Sequence, residues 1–542
     1  MLNTLLPIEV PTKDHPRCAE WQGALHSIAF DEGGWRAHLR ALDQTCYVIS
    51  DGTRLGITHE PSSNSGSESF ALLAVVAPMS PHQLGNANFR AQYGLKYAYS
   101  AGAMANGIAS AELVIALGQA QLLGSFGAAG LTPKYIEAAI ERIQSALPDG
   151  PYMFNLIHSP SEEALERHAV ELYLKHGIST VEASAFLALT PHIVRYRASG
   201  LHLNAQGTIE IRNRVIAKVS RREVAALFLE PAPASLLQPL VAQGLITEQQ
   251  SQMAQRIPMC DALTVEADSG GHTDNRPLVC LLPSILELRD EIQAKHGYEQ
   301  VVYVGGGGGV GTPAAALGTF MLGADYVVTG SVNQSCVEAG ASAHTKNILA
   351  QAGQADVMMA PSADMFEMGV KVQVLKRGTL FPVRAQKLYE LYKAYDSLEA
   401  IPAAERTKLE SQLFRKPLET IWQETEAFFR ERDPEQLERA NQNPKRKMAL
   451  VFRWYLGLSS RWSNSGETGR EMDYQIWCGP AMGAFNDWTR DNYLAKPENR
   501  RAPEVAEHLM RGAAYLYRLQ HLRAQGVTLP ASLAAYKPEP IE

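Results

Sequence analysis

The sharpest chemical signal in the chain is a histidine delivered by two glycines at the end of an apolar run. In EADSGGHTD, Gly270 and Gly271 lead to His272 directly after the run 262–266. An imidazole can donate a proton or stabilise an oxyanion near neutral pH; the competing reading is a histidine that only orders its loop. Lys218 sits near the end of a second run, 215–219. It can neutralise the negative edge of a cofactor or simply snorkel to solvent. Asn155, near the end of the run 152–157, can hydrogen-bond a ring edge or shape a turn. Asn106 has the same two readings in GAMANG, beside Ala103, Met104 and Ala105. His158, in NLIHSP, reads as part of a helix start. Cys336 has no histidine close by in the sequence and reads as a buried structural thiol.

These groups need a frame, and the stretch 301–336, VVYVGGGGGVGTPAAALGTFMLGADYVVTGSVNQSC, points to one. It reads as strand, glycine loop, helix, strand, glycine loop. Thr312 can cap the helix, and Pro313 fits its first turn. Gly306, Gly307 and Gly308 after one strand, and Thr329, Gly330 and Ser331 after the next, place bare N–H groups side by side, as a phosphate requires. Glycines 306, 308 and 311 also match G-x-G-x-x-G, with Asp325 following at the interval of a dinucleotide fingerprint. That match fails on position. The fingerprint acid ends its strand, whereas Asp325 precedes one. The alternative is the phosphate site at the last two strands of a (β/α)8 barrel.

Six further strand–helix units lie upstream, with strands at 97–101, 123–126, 152–157, 180–183, 215–219 and 262–266; 301–304 and 326–329 complete eight. A helical insertion at 236–255 precedes the sixth strand. Eight units over roughly 250 residues have the size and rhythm of a closed parallel barrel. The loops that follow these strands are small and rich in hydrogen-bonding groups, which suits a bulky planar cofactor approached closely by backbone. The fold class is therefore α/β. A small β-rich domain is expected at 1–95, the barrel at 96–355, a methionine-rich loop and helical lid at 356–450, and a helical extension packed on the barrel at 451–542. In the first part, TCYVIS–DG–TRLGIT reads as a hairpin and 61–69 as an exposed loop. The methionines at 358, 359, 365 and 368 read as core, or as the wall of an apolar tunnel. Lys445, Arg446 and Lys447 read as a solvated face, or as a dock for an acidic partner.

A net charge of −7 over 542 residues argues against a general nucleic-acid binder. Cys18, Cys46, Cys260, Cys280, Cys336 and Cys478 are scattered without C-x-x-C and read as reduced thiols of a cytoplasmic protein. The first sixteen residues do not have the form of a signal peptide, and no apolar run is long enough for a membrane span. Neither G-x-S-x-G nor H-E-x-x-H occurs, so serine hydrolase and zincin readings have no support.

The segments AGAMANGIAS (101–110), FNLIHSP (154–160), VEASAF (181–186), EADSGGHTD (266–274), GGGGGVGTP (305–313), GADYVVTGSVNQ (323–334) and CGPAMGAFNDW (478–488) carry a family likeness. From about residue 85 onward the chain resembles the PfaD-type trans-acting enoyl reductases of polyunsaturated fatty acid synthases and trans-acyltransferase polyketide synthases. The barrel alone also resembles FabK-type flavin-dependent enoyl reductases and nitronate monooxygenases, whose sixth-strand loop carries a similar Gly-Gly-His. The resemblance implies FMN as prosthetic group, held by the glycines above, and NADPH or NADH as reductant. It implies a 2-enoyl thioester on an acyl carrier protein domain as substrate, with homodimerisation left open. His272 would be the proton donor or enolate stabiliser, and Lys218 would face the flavin N1/O2 edge. The lid would cover an acyl–pantetheine tunnel and help dock the carrier protein. The rival readings are a nitronate monooxygenase-like flavin oxidase and a non-catalytic barrel scaffold of a megasynthase.

Overall fold

The computed structural model describes residues 19–63, 68–160 and 163–541. The expectation of no signal peptide, and the middle of the loop 61–69, lie outside the described residues. The chain opens with an antiparallel sheet of β1 (Ala19–Gly23), β2 (Cys46–Ser50), β3 (Leu55–Thr58) and β4 (Glu68–Val76), in the order β1-β4-β2-β3. The hairpin read from TCYVIS–DG–TRLGIT is β2–β3, closed with Ser50 opposite Leu55.

The barrel follows. Its strands are β5 (Tyr99–Ala101), β6 (Leu123–Phe126), β7 (Met153–Ile157) and β8 (Thr180–Ser184). A small hairpin, β9 (Leu201–Leu203) and β10 (Ile209–Ile211), precedes β11 (Arg214–Val219) and β12 (Ala262–Glu266). After the short β13 (Gly271–His272) come β14 (Tyr303–Gly307) and β15 (Val327–Thr329). β5 to β8, β11, β12, β14 and β15 close into one barrel of parallel pairs, with β15 returning to β5 through Val328 opposite Ser100. Each barrel strand is buried along nearly its whole length. Strands covered on both faces read as unbroken apolar runs.

One detail of this frame differs from the sequence expectation. The strand read as 301–304 extends as Tyr303–Gly307, so Gly305, Gly306 and Gly307 are strand residues and only Gly308 and Gly309 turn. Packing explains it. A Cβ at Gly305 would lie 2.5 Å from the Tyr326 ring, and one at Gly306 would lie 2.5 Å from Thr319. Asp325 is fully engaged at the other end of the strand. It accepts from the Val304 N–H at 2.7 Å and from Asn86 Nδ2 at 2.8 Å, which makes it a strap for β14, as its place ahead of the strand at 326–329 predicts.

The methionine-rich stretch is not a plain loop. It begins as β16 (Val357–Pro361), which pairs with β17 (Lys371–Leu375), and β17 pairs in turn with β13. A helical layer then covers the barrel mouth, built mainly from Phe381–Ala394, Leu418–Arg432, Glu435–Gln442 and Pro444–Ser465. The last of these runs straight across the division expected at 450/451. Buried Asp473 anchors the layer, receiving the Tyr455 hydroxyl at 2.7 Å and ion pairs from Arg384, Arg415 and Arg470. Lys445, Arg446 and Lys447 do not form a free basic face. Lys445 donates to the Tyr395 carbonyl at 2.6 Å, Arg446 pairs with Glu367 at 3.6 Å, and Lys447 lies over the Trp422 ring.

The helix Ala502–Ala524 ties the two ends together. Gly512 lets it press on Pro313, where a Cβ would come within 2.5 Å. Buried Arg518 donates to the carbonyls of His38, Leu39, Ala41, Leu42 and Gln44 at 2.7–3.3 Å. The closing residues run back over the first helix, Glu32–Arg40: Arg36 donates to the Ser532 carbonyl at 3.2 Å, and Arg40 binds Lys537 and Glu539. No helix among the described residues is long and apolar enough to cross a membrane.

Candidate active site at the barrel mouth

A cavity of about 580 Å³ opens where the barrel strands end, floored by their loops and roofed by the helical layer. That volume falls within the ~300–1,000 Å³ of sites that hold cofactors and small substrates. The roof is amphipathic: Phe428, Phe429, Leu450, Trp454 and Trp477 line it beside Glu424 and Arg453.

One wall is the glycine turn pair. Gly308 and Gly309 have φ of 84° and 78°, the left-handed region where glycine carries no penalty. Gly308 is also closed in from behind, since a Cβ there would lie 2.6 Å from the Ala267 carbonyl carbon. At Gly309 and Gly330 a Cβ would meet nothing within 4 Å, so both backbones are open to the cavity they line. Gly307 and Ser331 line it as well. Gly306 does not: strand alternation turns it outward, towards Thr319 and Leu278. Thr329 reaches the cavity but has committed its polar atoms. Its hydroxyl bonds Tyr99 at 2.5 Å and Asn333 at 2.9 Å, and its carbonyl accepts from Gly102 at 3.0 Å. Thr329 therefore holds the turn. The Ser331 hydroxyl accepts the Gly479 N–H at 2.9 Å, which brings the tail motif CGPAMG against the same wall. A Cβ on Gly270 would strike the Cys478 backbone at 2.8 Å, so that glycine serves the same contact.

The floor carries charge. Lys218 Nζ lies 2.9 Å from Glu266 Oε1. Burial opposes the lysine charge, but Glu266 and Glu182 outweigh it and hold the ammonium above its ordinary range. Burial raises Glu182, partly offset by Lys218 and by the Ala103 N–H, which donates to Glu182 Oε2 at 2.8 Å. Asn155 donates to the Glu182 carbonyl at 3.1 Å and the Ser184 hydroxyl at 2.8 Å, leaving its amide oxygen for the cavity it lines. Asn106 has φ of 56° and donates to Ser460 Oγ at 2.9 Å, joining the first barrel loop to the roof. Ala103, Met104 and Ala105 line the cavity beside it, as do Gly270, Gly271 and His272. His158 is turned to buried Glu166 at 2.9 Å and stacks on Phe186; Cys336 is buried, its thiol bonded to the Val332 carbonyl at 3.5 Å.

The enoyl reductase domain of MlnA from Bacillus amyloliquefaciens superposes with a TM-score of 0.77 at 39% identity, over 82% of this chain and 99% of that one. The chain belongs to the PfaD-type enoyl reductase family. The family model for the fatty acid synthase subunit PfaD N-terminal domain matches residues 21–78, and that for the inserted helical domain of [acyl-carrier-protein] S-malonyltransferase matches 395–474. The PfaD-type chain is 47% identical to a subunit of the polyunsaturated fatty acid synthase of Thraustochytrium sp., over 93% of its own length and 34% of that protein's. It is 45% identical to the polyketide biosynthesis protein PksE of Bacillus subtilis, over 84% of itself and 59% of that protein. It thus spans about a third to three fifths of these relatives.

Several residues of this PfaD-type site escape a strand-by-strand reading. Glu182 and Glu266 were legible in principle, as carboxylates inside otherwise apolar strands. Asp364, 3.2 Å from His272, lies 92 positions away in sequence and carries no local signal. The roof residues Glu424, Phe428, Arg453 and Trp454 sit on amphipathic helices whose inward face is ambiguous until the packing is known.

Proposed function

We propose that the chain is an FMN-dependent enoyl reductase, reducing the 2,3 double bond of enoyl thioesters carried on acyl carrier protein domains of a polyunsaturated fatty acid or polyketide synthase, with NAD(P)H as reductant. The observation that carries this reading is that one roofed cavity is lined both by the open glycine turns and by His272. The turns fit a flavin phosphate. Gly308, Gly309, Gly330 and Ser331 offer backbone N–H groups, and any side chain at 309 or 330 would project into the space the phosphate needs. Asn155 and Lys218 would hold the isoalloxazine edge, and Ala103, Met104 and Ala105 its face.

When bound, FMN supplies hydride transfer, from the nicotinamide to the β-carbon of the enoyl group. The residues do the rest. Lys218, kept charged by Glu266 and Glu182, places positive charge where a reduced ring system accumulates negative charge. His272 donates the proton that the α-carbon needs. The aromatic side chains of the roof thin the water over the floor, strengthening both interactions.

The test is an absorbance spectrum followed by turnover. A yellow protein whose FMN is reduced by NADPH, and which consumes NADPH steadily only with a crotonyl–pantetheine thioester, is the expected result. A flavin that reacts with dioxygen and nitronates and ignores the thioester would make the chain an oxidase. A colourless protein that FMN cannot reconstitute would make it a scaffold.

A further inference from the structure

His272 is not held by the barrel. It lies on the two-residue strand β13, paired antiparallel with β17, so that His272 stands opposite Val372. The connection between β16 and β17 returns over it and presents Asp364, whose Oδ1 lies 3.2 Å from His272 Nε2. Asp364 is itself fixed. The same Oδ1 takes the Ser362 hydroxyl and the Met365 N–H, the latter at 3.1 Å. The imidazole is thus gripped by one nitrogen, from a ribbon outside the barrel, at the edge of the cavity.

We propose that Asp364 is a positioning residue that holds His272 through Nε2, so that Nδ1 is the atom that delivers the proton to substrate. This rests on the enoyl reductase reading above. Once hydride from the reduced flavin has reached the β-carbon, the electron pair of the resulting enolate forms a C–H bond at the α-carbon. The Nδ1–H bond breaks and its pair returns to the ring. The neutral imidazole keeps its Nε2–H on Asp364, and Nδ1 is recharged from solvent. The charged groups that face His272 agree with this assignment. Burial favours the neutral ring, but Asp364 on the ribbon and Glu266 at the end of β12 outweigh both burial and Lys218 on β11, and the imidazole titrates above its ordinary value. Burial opposes ionisation of Asp364 too, yet the His272 charge and the Ser362 hydroxyl hold it well below the usual carboxylate range. The pairing therefore favours the charged imidazole beside the ionised carboxylate, with the donor proton in place.

The experiment uses the full chain with its flavin, labelled with 15N-histidine, with the His272 signals assigned by their loss in His272→Gln. Titrated to alkaline pH, neutral His272 should appear as the Nε2–H tautomer, and Asp364→Asn should lower its titration midpoint by a unit or more. The same variant should lower kcat tenfold or more with KM little changed, and Asp364→Glu should recover part of both. An Nδ1–H tautomer in the unmodified protein would overturn the assignment even if Asp364→Asn does not fold, and so would an unmoved midpoint in a folded variant. A correct tautomer and midpoint without any thioester reduction would sink the enoyl reductase reading and leave the Asp364–His272 pairing standing.

Discussion

The side-chain amide of Asn106 donates to the hydroxyl of Ser460 across 2.9 Å, joining the first barrel loop to the helix that roofs the cavity. Asn464 on the same helix returns a bond to the Asn106 carbonyl at 3.2 Å. Floor and roof are thus latched at Asn106, with a further bond from Arg461 on the same helix to the Gly130 carbonyl at 3.4 Å. Ser460→Ala removes the side-chain half of the Asn106 latch without touching the cradle or His272. A lost buried hydrogen bond costs on the order of 1 kcal/mol, so KM for a thioester substrate should rise several-fold while the flavin spectrum and thermal midpoint stay nearly unchanged. Steady-state kinetics beside a melting curve decide it; an unaltered KM would mean the latch has no part in closing the site.

His272→Ala should keep bound flavin and its reduction by NADPH, and lose thioester reduction by ~10²- to 10⁴-fold, the usual contribution of a positioned acid. Stopped-flow absorbance separates the two half-reactions. A variant that slows flavin reduction and spares the second step would place His272 on the wrong half.

Gly330→Asp introduces a carboxylate into the turn that the phosphate would occupy. No atom lies within 4 Å of the new Cβ, so the side chain enters open space. FMN affinity should fall tenfold or more, read by fluorescence quenching, with the circular dichroism of the apoprotein unchanged. Undiminished binding would move the phosphate elsewhere.

His508 gives the fold an acid sensitivity. It is buried between the Tyr493 hydroxyl at 2.7 Å and the Tyr536 hydroxyl at 3.0 Å. Burial lowers it to about 4. An unfolded histidine titrates near ~6.5, so the unfolded chain takes up a proton first as pH falls. The contribution is whole above ~6.5, declines below it, and is spent near 4, for a total of about 3 kcal/mol. Urea midpoints measured across that window should slope more steeply in the parent than in His508→Gln; equal slopes would refute the assignment.

Arg518→Met removes the donor shared by the carbonyls of His38, Leu39, Ala41, Leu42 and Gln44. A loss on the order of 3 kcal/mol or more is expected, and proteolysis should release the N-terminal sheet before the barrel yields. Simultaneous digestion of both would show that other contacts hold the sheet.

The barrel was readable because its strands are covered on both faces, so runs such as 301–304 and 326–328 are unbroken in sequence. The exclusion of a dinucleotide fold from the position of Asp325 rested on the same kind of local fact, and the carboxylate does bind the start of β14. What escaped reading was long-range. The five-glycine run looks like a loop, and only the Tyr326 ring and Thr319 explain why three of its members lie in a strand. The β16–β17 ribbon that carries Asp364 to His272 joins residues that no periodicity connects, and the stretch 358–368 gave only a composition, which fits a strand, a tunnel wall and a loop equally well. Lys445 to Lys447 looked like a patch because charge in sequence does not reveal whether the aliphatic stems lie on aromatic rings.

The clasp between the first helix and the closing residues has a consequence for the order of assembly. Arg36 and Arg40 meet Ser532, Lys537 and Glu539, and Arg36 and Ser532 stand 496 positions apart. A contact of that span forms only after the intervening chain has been ordered. The clasp therefore closes late and seals a barrel already built.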